Sequence, residues 1–362
     1  MKKSILLTFF TVACITAGAH LRIVGNNPNI SYTGRTLAEK DGSVKFDWSG
    51  TYLQTDFTGG SIAIVISDTR NDYFNLFIDS KLIRKFQVSS PTPTTIQLAE
   101  GLSPGTHRLR LQKCTEGNQG CTTIHALLIS EDGTLRPVAR KPRLIECIGD
   151  SYTCGFGTES KNATDHFQAE TENCNQAYGC IIAKYFNADY VLIAHSGRGM
   201  SRNYGDSVQL SKANMVDRYL QIFDDFSQEP YKFKAYRPDL VTINLGTNDY
   251  SPGTGPTPEL YTSQYLKLIK QVRKHYGEVP ILCIIPHSCG APLKTSLDTL
   301  RNHIKNLNHV YMTEPMPGIV TPERDLGAAY HPNYQGQRKI AMTLIPRVAA
   351  IMGWELEEGI VE

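Results

Sequence analysis

The chain has 362 residues, enough for two folded domains or one large one, and its 41% hydrophobic and 20% charged residues are ordinary for a soluble globular protein. Its 37 basic and 35 acidic residues give a formal net charge of only +2. This near-balance argues against nucleic acids and anionic membrane surfaces as partners.

The N-terminal residues 1–19 predict a signal peptide. Two lysines precede an apolar run that is too short to span a membrane, and Ala17-Gly18-Ala19 fits a cleavage site. Cleavage near Ala19 would export the protein, to the periplasm or outside the cell, without stable insertion into the membrane. Cys14 raises a lipoprotein alternative, which ranks second because Thr11 stands where such signals usually have Leu.

Residues 20–141 predict an all-β sandwich of jelly-roll type, because short strand-like segments alternate with turns and no long helical period interrupts them. We expect this domain to pack against the rest of the chain, with Trp48 in a core and not on a sugar-binding surface. The predicted strands are Ser61–Ile66, Phe74–Ile78, Leu82–Val88, Thr94–Leu98, His107–Leu111 and Thr123–Ile129.

Eight cysteines remain after cleavage, and in an exported protein they either pair or stay as buried thiols. Cys114 and Cys121 flank a Gly-rich turn and are the first candidate bridge, although spacing alone leaves both outcomes open. No Cys/His cluster has zinc-type spacing, so we expect neither a metal nor a cofactor.

The basic segment Arg136–Arg143 contains two prolines and predicts a linker to a second domain, residues 142–362. Beyond it, apolar strand-like runs alternate with helical patterns, which predicts a parallel sheet with helices on both faces. The predicted strands are Leu144–Ile148, Asp189–Ala194, Leu240–Leu245, Pro280–Ile285 and a short one from Val310; the predicted helices are Gln176–Phe186, Lys212–Phe226, Glu259–Tyr276, Thr295–Leu307 and Tyr334–Met352.

Ser151 follows the first of these strands in the sequence Gly149-Asp150-Ser151. In open α/β sheets, ligands bind at the carboxyl ends of the strands. Gly155 and Gly157 keep the approach to the hydroxyl uncrowded. Ser151 is therefore a candidate nucleophile, although the tripeptide alone favours a plain turn.

Three later segments strengthen the catalytic interpretation. Tyr190–Met200 is strand-like and ends among glycines, Leu240–Asp249 ends in Gly-Thr-Asn-Asp, and Ala329–Gln337 carries His331 before a helical pattern. Together with Ser151 they supply the parts of an acyl-transfer site, namely a nucleophile, oxyanion donors and a general base.

In this order the four segments resemble the Ser, Gly, Asn and His blocks of the SGNH (GDSL-type) hydrolase superfamily, over about residues 142–352. The stretch before them, with Gly-Arg-Thr from Gly34 and the segment Val44–Tyr52, is similar to carbohydrate esterase family 2. That family joins an N-terminal β-sandwich to an SGNH esterase domain. The resemblance implies a flavodoxin-like, three-layer α/β hydrolase fold and a serine esterase that removes acetyl groups from plant polysaccharides such as xylan or mannan.

On this resemblance, His331 is the general base for Ser151. The oxyanion donors are the Ser151 N–H, the Gly199 N–H and the Asn248 side-chain amide. Gly199 matches the block position better than Gly197 does.

His195 and His287 also follow strands and are rival bases or substrate contacts. Chain order and the match to the His block favour His331 over both.

One departure from the superfamily pattern concerns the third catalytic residue. The superfamily usually has Asp three residues before the His, and Ala328 occupies that position here. Some family 2 esterases resemble this pattern and work as a Ser–His dyad in which a backbone carbonyl orients the ring. We predict such a dyad, with Asp325 or another loop acid as the alternative and an impaired site as the third possibility.

Tyr152, Tyr250 and Tyr330 adjoin the blocks, and each is either a sugar contact or loop packing. The expected partner is an acetylated polysaccharide or oligosaccharide. Two other functions stay open. A lipase or thioesterase would need a long acyl channel, and a carbohydrate-binding protein with a disabled site is favoured only by Ala328.

Overall fold

The computed structural model of the protein describes residues 20–359 and residue 361. The predicted signal peptide and the lipoprotein alternative at Cys14 lie outside the described residues. Among the described helices, none combines the length and the apolar character that crossing a bilayer requires.

The N-terminal part forms two antiparallel sheets that face each other. One has the order β3-β4-β11-β6-β9, with β1 also on β11, and the other has the order β12-β5-β10-β7-β8, with β2 on β5. The strands are β1 His20–Val24, β2 Ser31–Thr33, β3 Leu37–Ala38, β4 Val44–Phe46, β5 Tyr52–Thr58, β6 Ile62–Asp68, β7 Asp72–Ile78, β8 Lys81–Val88, β9 Thr94–Ala99, β10 Thr106–Lys113, β11 Thr122–Ser130 and β12 Leu135–Arg136.

Apolar side chains of both sheets meet in one core, which includes Phe57, Ile64 and Leu111. The predicted sandwich and its six strands are confirmed. The sequence analysis did not identify β1 to β5 or β12. Most of these are short, and some pair with distant parts of the chain, as β1 does with β11. Their stability therefore depends on packing against those partners, and the local sequence contains little signal for them.

The C-terminal part is built on a five-stranded parallel sheet in the order β14-β13-β15-β16-β17, which is the flavodoxin-like order 2-1-3-4-5. Its strands are β13 Arg143–Gly149, β14 Ala188–Ala194, β15 Leu240–Asn244, β16 Ile281–Cys283 and β17 Val310–Met312; a small hairpin pairs β18 Leu326–Gly327 with β19 His331–Pro332. The predicted three-layer α/β fold is confirmed.

Helices cover both faces of this sheet, because its strands are apolar on both sides. The helices are α1 Ser151–Cys154, α2 Tyr178–Tyr185, α3 Met215–Arg218, α4 Pro258–Tyr276, α5 Ala291–Ile304, α6 Pro322–Asp325 and α7 Tyr334–Met352. One core cluster combines α4 and α5 with the sheet, and a second combines α2 and α7 with it.

The predicted helix Lys212–Phe226 is wrong, since only Met215–Arg218 is α-helical. The following backbone instead bonds to the sandwich. Arg35 Nη1 donates to the carbonyls of Tyr219 and Gln221, both at 2.6 Å. Asp47 accepts from three consecutive backbone N–H groups of residues 224–226, at 2.6 to 2.9 Å. These bonds occupy groups that a continued helix would have used, so tertiary contacts override the local pattern.

Trp48 is fully buried and donates its indole N–H to the carbonyl of Ile222 at 2.9 Å. It packs in the same core cluster as α4 and α5, so the prediction that Trp48 is a core residue is confirmed. The last sandwich strand ends at Arg136 and the parallel sheet begins at Arg143, which places the predicted linker between the two sheet systems.

All eight described cysteines are free thiols, and seven are buried. The candidate bridge between Cys114 and Cys121 is therefore wrong in this structure. Cys121 packs among the apolar residues around Trp48, whereas the Cys114 thiol lies against the carbonyl of Gln112 at 3.9 Å. Each thiol behaves as a small buried apolar group.

Candidate active site

Ser151 lies at the carboxyl end of β13, an inner strand of the parallel sheet, as the first residue of α1, and is 6% exposed. Asp150 caps this helix by accepting from the Tyr152 N–H at 3.1 Å. A Cβ on Gly149 would lie 2.0 Å from Thr153 Oγ1, so the sharp turn into the helix requires glycine there. Because Ser151 is at the helix start, its own N–H has no partner within the helix.

His331 lies beside Ser151, with 2.9 Å between its Nε2 and Ser151 Oγ. Its Nδ1 lies 3.0 Å from the carbonyl oxygen of Ala329. A carbonyl only accepts, so Nδ1 carries the proton and Nε2 is left to accept from the serine hydroxyl.

Among the described residues, no carboxylate lies within hydrogen-bonding distance of His331. Asp325 binds the Thr321 N–H at 2.6 Å and the Lys339 ammonium instead. Ala328 is fully buried, and a Cβ on Gly157 would lie 2.8 Å from its methyl group. The position that usually carries the triad acid is therefore packed against the turn after Ser151.

Two consecutive left-handed residues shape the backbone before His331. Ala329 has φ 49° and Tyr330 has φ 60°, a conformation that is uncommon for side chains other than Gly, Asn and Asp. Their N–H groups donate to the carbonyls of Asp165 and Ala163, both at 2.9 Å. These bonds hold the strained turn that directs the Ala329 carbonyl at the imidazole.

Aromatic rings surround His331. The Phe156 ring centroid lies 4.2 Å from that of His331, and the Tyr152 ring lies 5.5 Å away, edge to face. Burial lowers the pKa of His331, although hydrogen bonds to the carbonyls of Ala329 and Ala328 partly oppose the shift. The surroundings therefore favour a neutral imidazole, which is the form that accepts a proton.

The two further predicted oxyanion donors lie on neighbouring loops. Asn248 Nδ2 donates to the Arg198 carbonyl at 2.9 Å and more weakly to Asp150 Oδ2 at 3.3 Å. Gly199 N donates to Asn203 Oδ1 at 3.3 Å. Both groups thus have one long hydrogen bond that a stronger acceptor can replace.

The carboxylate of Asp249 fixes the loop after Gly199. It accepts from the N–H groups of Met200, Ser201 and Arg202 at 2.8, 2.6 and 2.9 Å. A Cβ on Gly199 would lie 2.0 Å from the Arg202 carbonyl oxygen and 2.5 Å from Asp249 Oδ2, so only glycine fits there.

Neither rival histidine contacts Ser151 through a hydrogen bond. His195 is buried, and its Nδ1 lies 2.7 Å from Asp224 Oδ2. Burial and the neighbouring His331 lower the pKa of His287 to about 4.

The three candidate tyrosines differ in their surroundings. Tyr330 is 63% exposed beside His331. Tyr152 is half-buried, with its hydroxyl 2.9 Å from Ser288 Oγ. Tyr250 packs against the core and bonds to Ser296 Oγ at 2.5 Å. Exposure thus distinguishes Tyr330 as a free ring face, whereas Tyr250 is mainly a packing residue.

Sequence analysis missed Tyr204, which is 62% exposed on the loop after Gly199. Its N–H donates to the Gly197 carbonyl at 2.7 Å, which places it next to the candidate oxyanion loop. An aromatic residue five positions after the Gly block was the available signal.

Behind the site, three buried donors of metal-binding type come together: the ligand atoms of Glu116, Cys154 and Glu172 lie within 4.8 Å of one another. Glu116 and Cys154 are already paired, since the thiol donates to Glu116 Oε2 at 3.4 Å. The prediction that the protein uses no metal stays a prediction.

Comparison with known families matches both parts of the chain. Residues 32–138 match the model of the N-terminal domain of carbohydrate esterase 2, and residues 147–339 match the GDSL-like lipase/acylhydrolase family.

Two relatives match this chain over two thirds of its length or more. An acetylxylan esterase/glucomannan deacetylase of Cellvibrio japonicus is 32% identical over 260 residues, covering 67% of this chain and 69% of the relative. The cellulase/esterase CelE of Acetivibrio thermocellus is 29% identical over 344 residues, 91% of this chain. The match spans only 40% of the length of CelE.

Among solved structures, a family two carbohydrate esterase from Clostridium thermocellum in complex with cellohexaose superposes with a TM-score of 0.82 at 29% identity, covering 90% of this chain and 100% of the other. A carbohydrate esterase family 2 enzyme from Corynascus thermopiles gives a TM-score of 0.79 at 27% identity, covering 90% of this chain and 100% of the other. The chain therefore belongs to the GDSL-like lipase/acylhydrolase family and, within it, to the family 2 carbohydrate esterases.

Proposed function

We propose that this carbohydrate esterase removes O-acetyl groups from plant polysaccharides of the xylan or mannan type through an acyl-enzyme on Ser151. The observation that carries the proposal is the 2.9 Å contact between Ser151 Oγ and His331 Nε2, with Nδ1 oriented by the Ala329 carbonyl.

In the first step, His331 Nε2 takes the proton from Ser151 Oγ while the oxygen attacks the acetyl carbonyl. The resulting imidazolium is stabilised by its Nδ1–H bond to the Ala329 carbonyl. As the tetrahedral intermediate collapses and its bond to the sugar oxygen breaks, His331 protonates that oxygen, which leaves as a hydroxyl group, and the acetyl group stays on Ser151. Water, deprotonated by His331, hydrolyses this ester and releases acetate.

We infer that three donors stabilise the tetrahedral oxyanion, namely the Ser151 N–H, the Gly199 N–H and the Asn248 amide. We infer that the oxyanion replaces the two 3.3 Å bonds, to Asn203 and Asp150. The oxyanion is a stronger acceptor than the neutral Asn203 amide oxygen, and a bond shorter than 3.3 Å would strengthen the contact of either donor, so this exchange favours the transition state over the resting enzyme.

The sugar class rests on two kinds of support. Similar proteins of Cellvibrio japonicus are named acetylxylan esterase/glucomannan deacetylase, one of them 26% identical over 97% of its own length. In addition, Tyr330 and Tyr204 expose their rings on the loops that carry His331 and Gly199. Exposed aromatic rings suit stacking on sugar rings, so we infer that these two and Tyr152 contact the polysaccharide.

The test is acetate release from acetylated xylan and from acetylated glucomannan by the wild type and Ser151→Ala. We expect release by the wild type and a loss of at least about 10³-fold in the variant, because the nucleophile is absent. Ser89→Ala, an exposed serine of the sandwich, is the control and should keep wild-type activity.

Mass spectrometry then tests the acyl-enzyme. Brief exposure to 4-nitrophenyl acetate and acid quenching should leave one acetyl group on the peptide that contains Ser151. Acetate release that survives in Ser151→Ala would contradict the serine mechanism. A protein that hydrolyses long-chain esters but neither polysaccharide would contradict the substrate class.

A further inference from the structure

The N-terminal sandwich reaches the candidate active site through the turn between β10 and β11. Glu116 lies in this turn and is only 1% exposed. Its Oε2 accepts from the Ser196 N–H at 2.6 Å and from the Cys154 thiol at 3.4 Å. Ser196 begins the loop that leads to Gly199, and Cys154 ends the helix that Ser151 begins. One carboxylate of the sandwich therefore joins both catalytic segments from behind.

The next residue of the turn strengthens this junction. Gly117 N donates to Asp224 Oδ2 at 2.9 Å, and the same oxygen lies 2.7 Å from His195 Nδ1. His195 directly precedes Ser196, so Glu116 holds Ser196 directly and Gly117 is linked to His195 through Asp224. A Cβ on Gly117 would lie 2.8 Å from the side chain of Asp224, which shows how closely the turn packs.

The charge of Glu116 acts on both imidazoles of the region. The pKa of His195 is raised. Burial lowers it, but the charge of Asp224 and, to a smaller extent, that of Glu116 raise it by more. The charge of Glu116 also opposes the lowering of the pKa of His331 by burial. A buried carboxylate that accepts a backbone N–H at 2.6 Å forms a charge-assisted bond, which is stronger than a neutral one.

Glu172 offers the natural comparison, because it is buried beside Glu116. Its Oε2 lies 3.4 Å from the Glu116 N–H, and its Oε1 has no hydrogen-bond partner among the described residues. Although its carboxylate lies near the Cys154 thiol, it accepts no hydrogen bond from the described residues of the Ser196 loop or of the Ser151 helix. The bonds of Glu116 Oε2 are fully accounted for by protein N–H and S–H groups, which favours a positioning role over metal binding.

We propose that Glu116 is a positioning residue for the esterase reaction, holding the Ser196–Gly199 loop against the helix of Ser151 so that the oxyanion donors are in place before substrate binds. This inference rests on the proposed function. It also gives the sandwich an indirect part in catalysis, since a side chain from that region helps to hold the oxyanion loop together with Asp249.

The experiment compares Glu116→Gln with Glu172→Gln in the full-length protein. Gln keeps the size of Glu, but its amide removes the negative charge and one acceptor. For Glu116→Gln we expect kcat for acetate release to fall about 10- to 100-fold, because displacement of a catalytic group by about 1 Å has such an effect. KM should stay within about twofold, since the sugar contacts are elsewhere. Glu172→Gln should keep kcat within about threefold.

A second measurement does not depend on turnover, and its wild-type arm does not depend on the folding of a variant. In the wild type, the amide hydrogen of Ser196 should exchange slowly with deuterium, because it is buried and bonded to a carboxylate. In Glu116→Gln, exchange of this amide should accelerate at least about tenfold, while amides of β13 stay protected.

These results separate the inference from the proposed function. If the wild-type protein releases no acetate, the proposed function is contradicted. Hydrogen exchange at Ser196 then still tests whether Glu116 holds the loop. Unchanged kcat in folded Glu116→Gln, or fast exchange of Ser196 in the wild type, overturns the inference. A KM increase with kcat preserved also overturns it, because that result would place Glu116 in substrate binding.

Discussion

At the residue scale, a neutral carbonyl takes the place of the usual carboxylate behind His331. The Ala329 oxygen fixes the tautomer as a carboxylate would, but it adds no negative charge to stabilise the imidazolium. Burial in an aromatic setting then dominates, and the pKa of His331 is lowered. The lowered pKa favours the neutral imidazole.

This predicts the acid limb of the pH profile. Because the proposed reaction needs neutral His331, kcat/KM should reach its full value above the lowered pKa. It should fall as the pH drops through that pKa. The midpoint should therefore lie below the ordinary histidine value of about 6.5. Initial rates of 4-nitrophenyl acetate hydrolysis between pH 4 and pH 8, corrected for spontaneous hydrolysis, measure it. A midpoint above that value would indicate a carboxylate partner for the imidazole.

Asp150 provides the control, because burial raises the pKa of its carboxyl group to about 7, close enough to confuse the assignment. In Asp150→Asn the acid limb should keep its midpoint, even where the rate is lower. A limb that disappears in this variant would belong to Asp150 and not to His331.

At the element scale, the loop from β14 to α3 is shaped by contacts with side chains of other elements. Asp249 accepts three of its backbone N–H groups from one side, and Glu116 accepts that of Ser196 from the other. The loop has little secondary structure of its own, so these acceptors determine where the Gly199 N–H points.

Gly199→Ala should disrupt this loop. Its Cβ would lie 2.0 Å from the Arg202 carbonyl oxygen, a backbone atom that cannot move without shifting the loop. We expect kcat to fall roughly 10²- to 10³-fold, the usual cost of losing one oxyanion donor, and acetate release measures it. Gly60→Ala is the matched control, because its Cβ would meet only the Leu102 carbonyl oxygen, at 3.8 Å. Equal activity of the two variants would remove Gly199 from the oxyanion site.

At the scale of the whole molecule, the sandwich and the parallel-sheet region share a buried interface. Trp48 from the sandwich packs in the core that also contains Met215, Tyr219 and Tyr265. Arg35 is fully buried next to it and lies 5.9 Å from the Trp48 ring and 4.3 Å from the Tyr231 ring. Such burial couples the stability of the two parts.

Trp48→Ala should therefore destabilise the whole protein. Truncation of a buried Trp typically costs about 3–5 kcal/mol of unfolding free energy. Urea unfolding followed by circular dichroism measures the loss, with Leu82→Ala, 54% exposed on β8, as a control expected within about 0.5 kcal/mol of wild type. A Trp48→Ala protein as stable as the control would mean that the interface contributes little.

The local sequence pattern was sufficient to predict most of the helices and strands. The helix Tyr334–Met352 was predicted to the residue, and Glu259–Tyr276 differs by one residue from the observed Pro258–Tyr276. These helices were predictable because apolar residues recur at helical spacing along one buried face, a pattern that a short stretch of sequence contains by itself. Where backbone groups bond to distant side chains, as after Arg218, the same pattern predicted a helix that does not form.

By itself, the sequence determined the two kinds of sheet, the order of the parallel strands, the placing of Ser151, Gly199 and Asn248 after strands and that of His331 before the last helix, because these depend on local spacing and family pattern. The family resemblance also predicted that Ser151 and His331 meet, although they are 180 positions apart. Tertiary structure alone decided the contact between Glu116 and Ser196, which are 80 positions apart. Contacts over such distances depend on how the sandwich packs against the parallel sheet, a geometry that no local pattern contains.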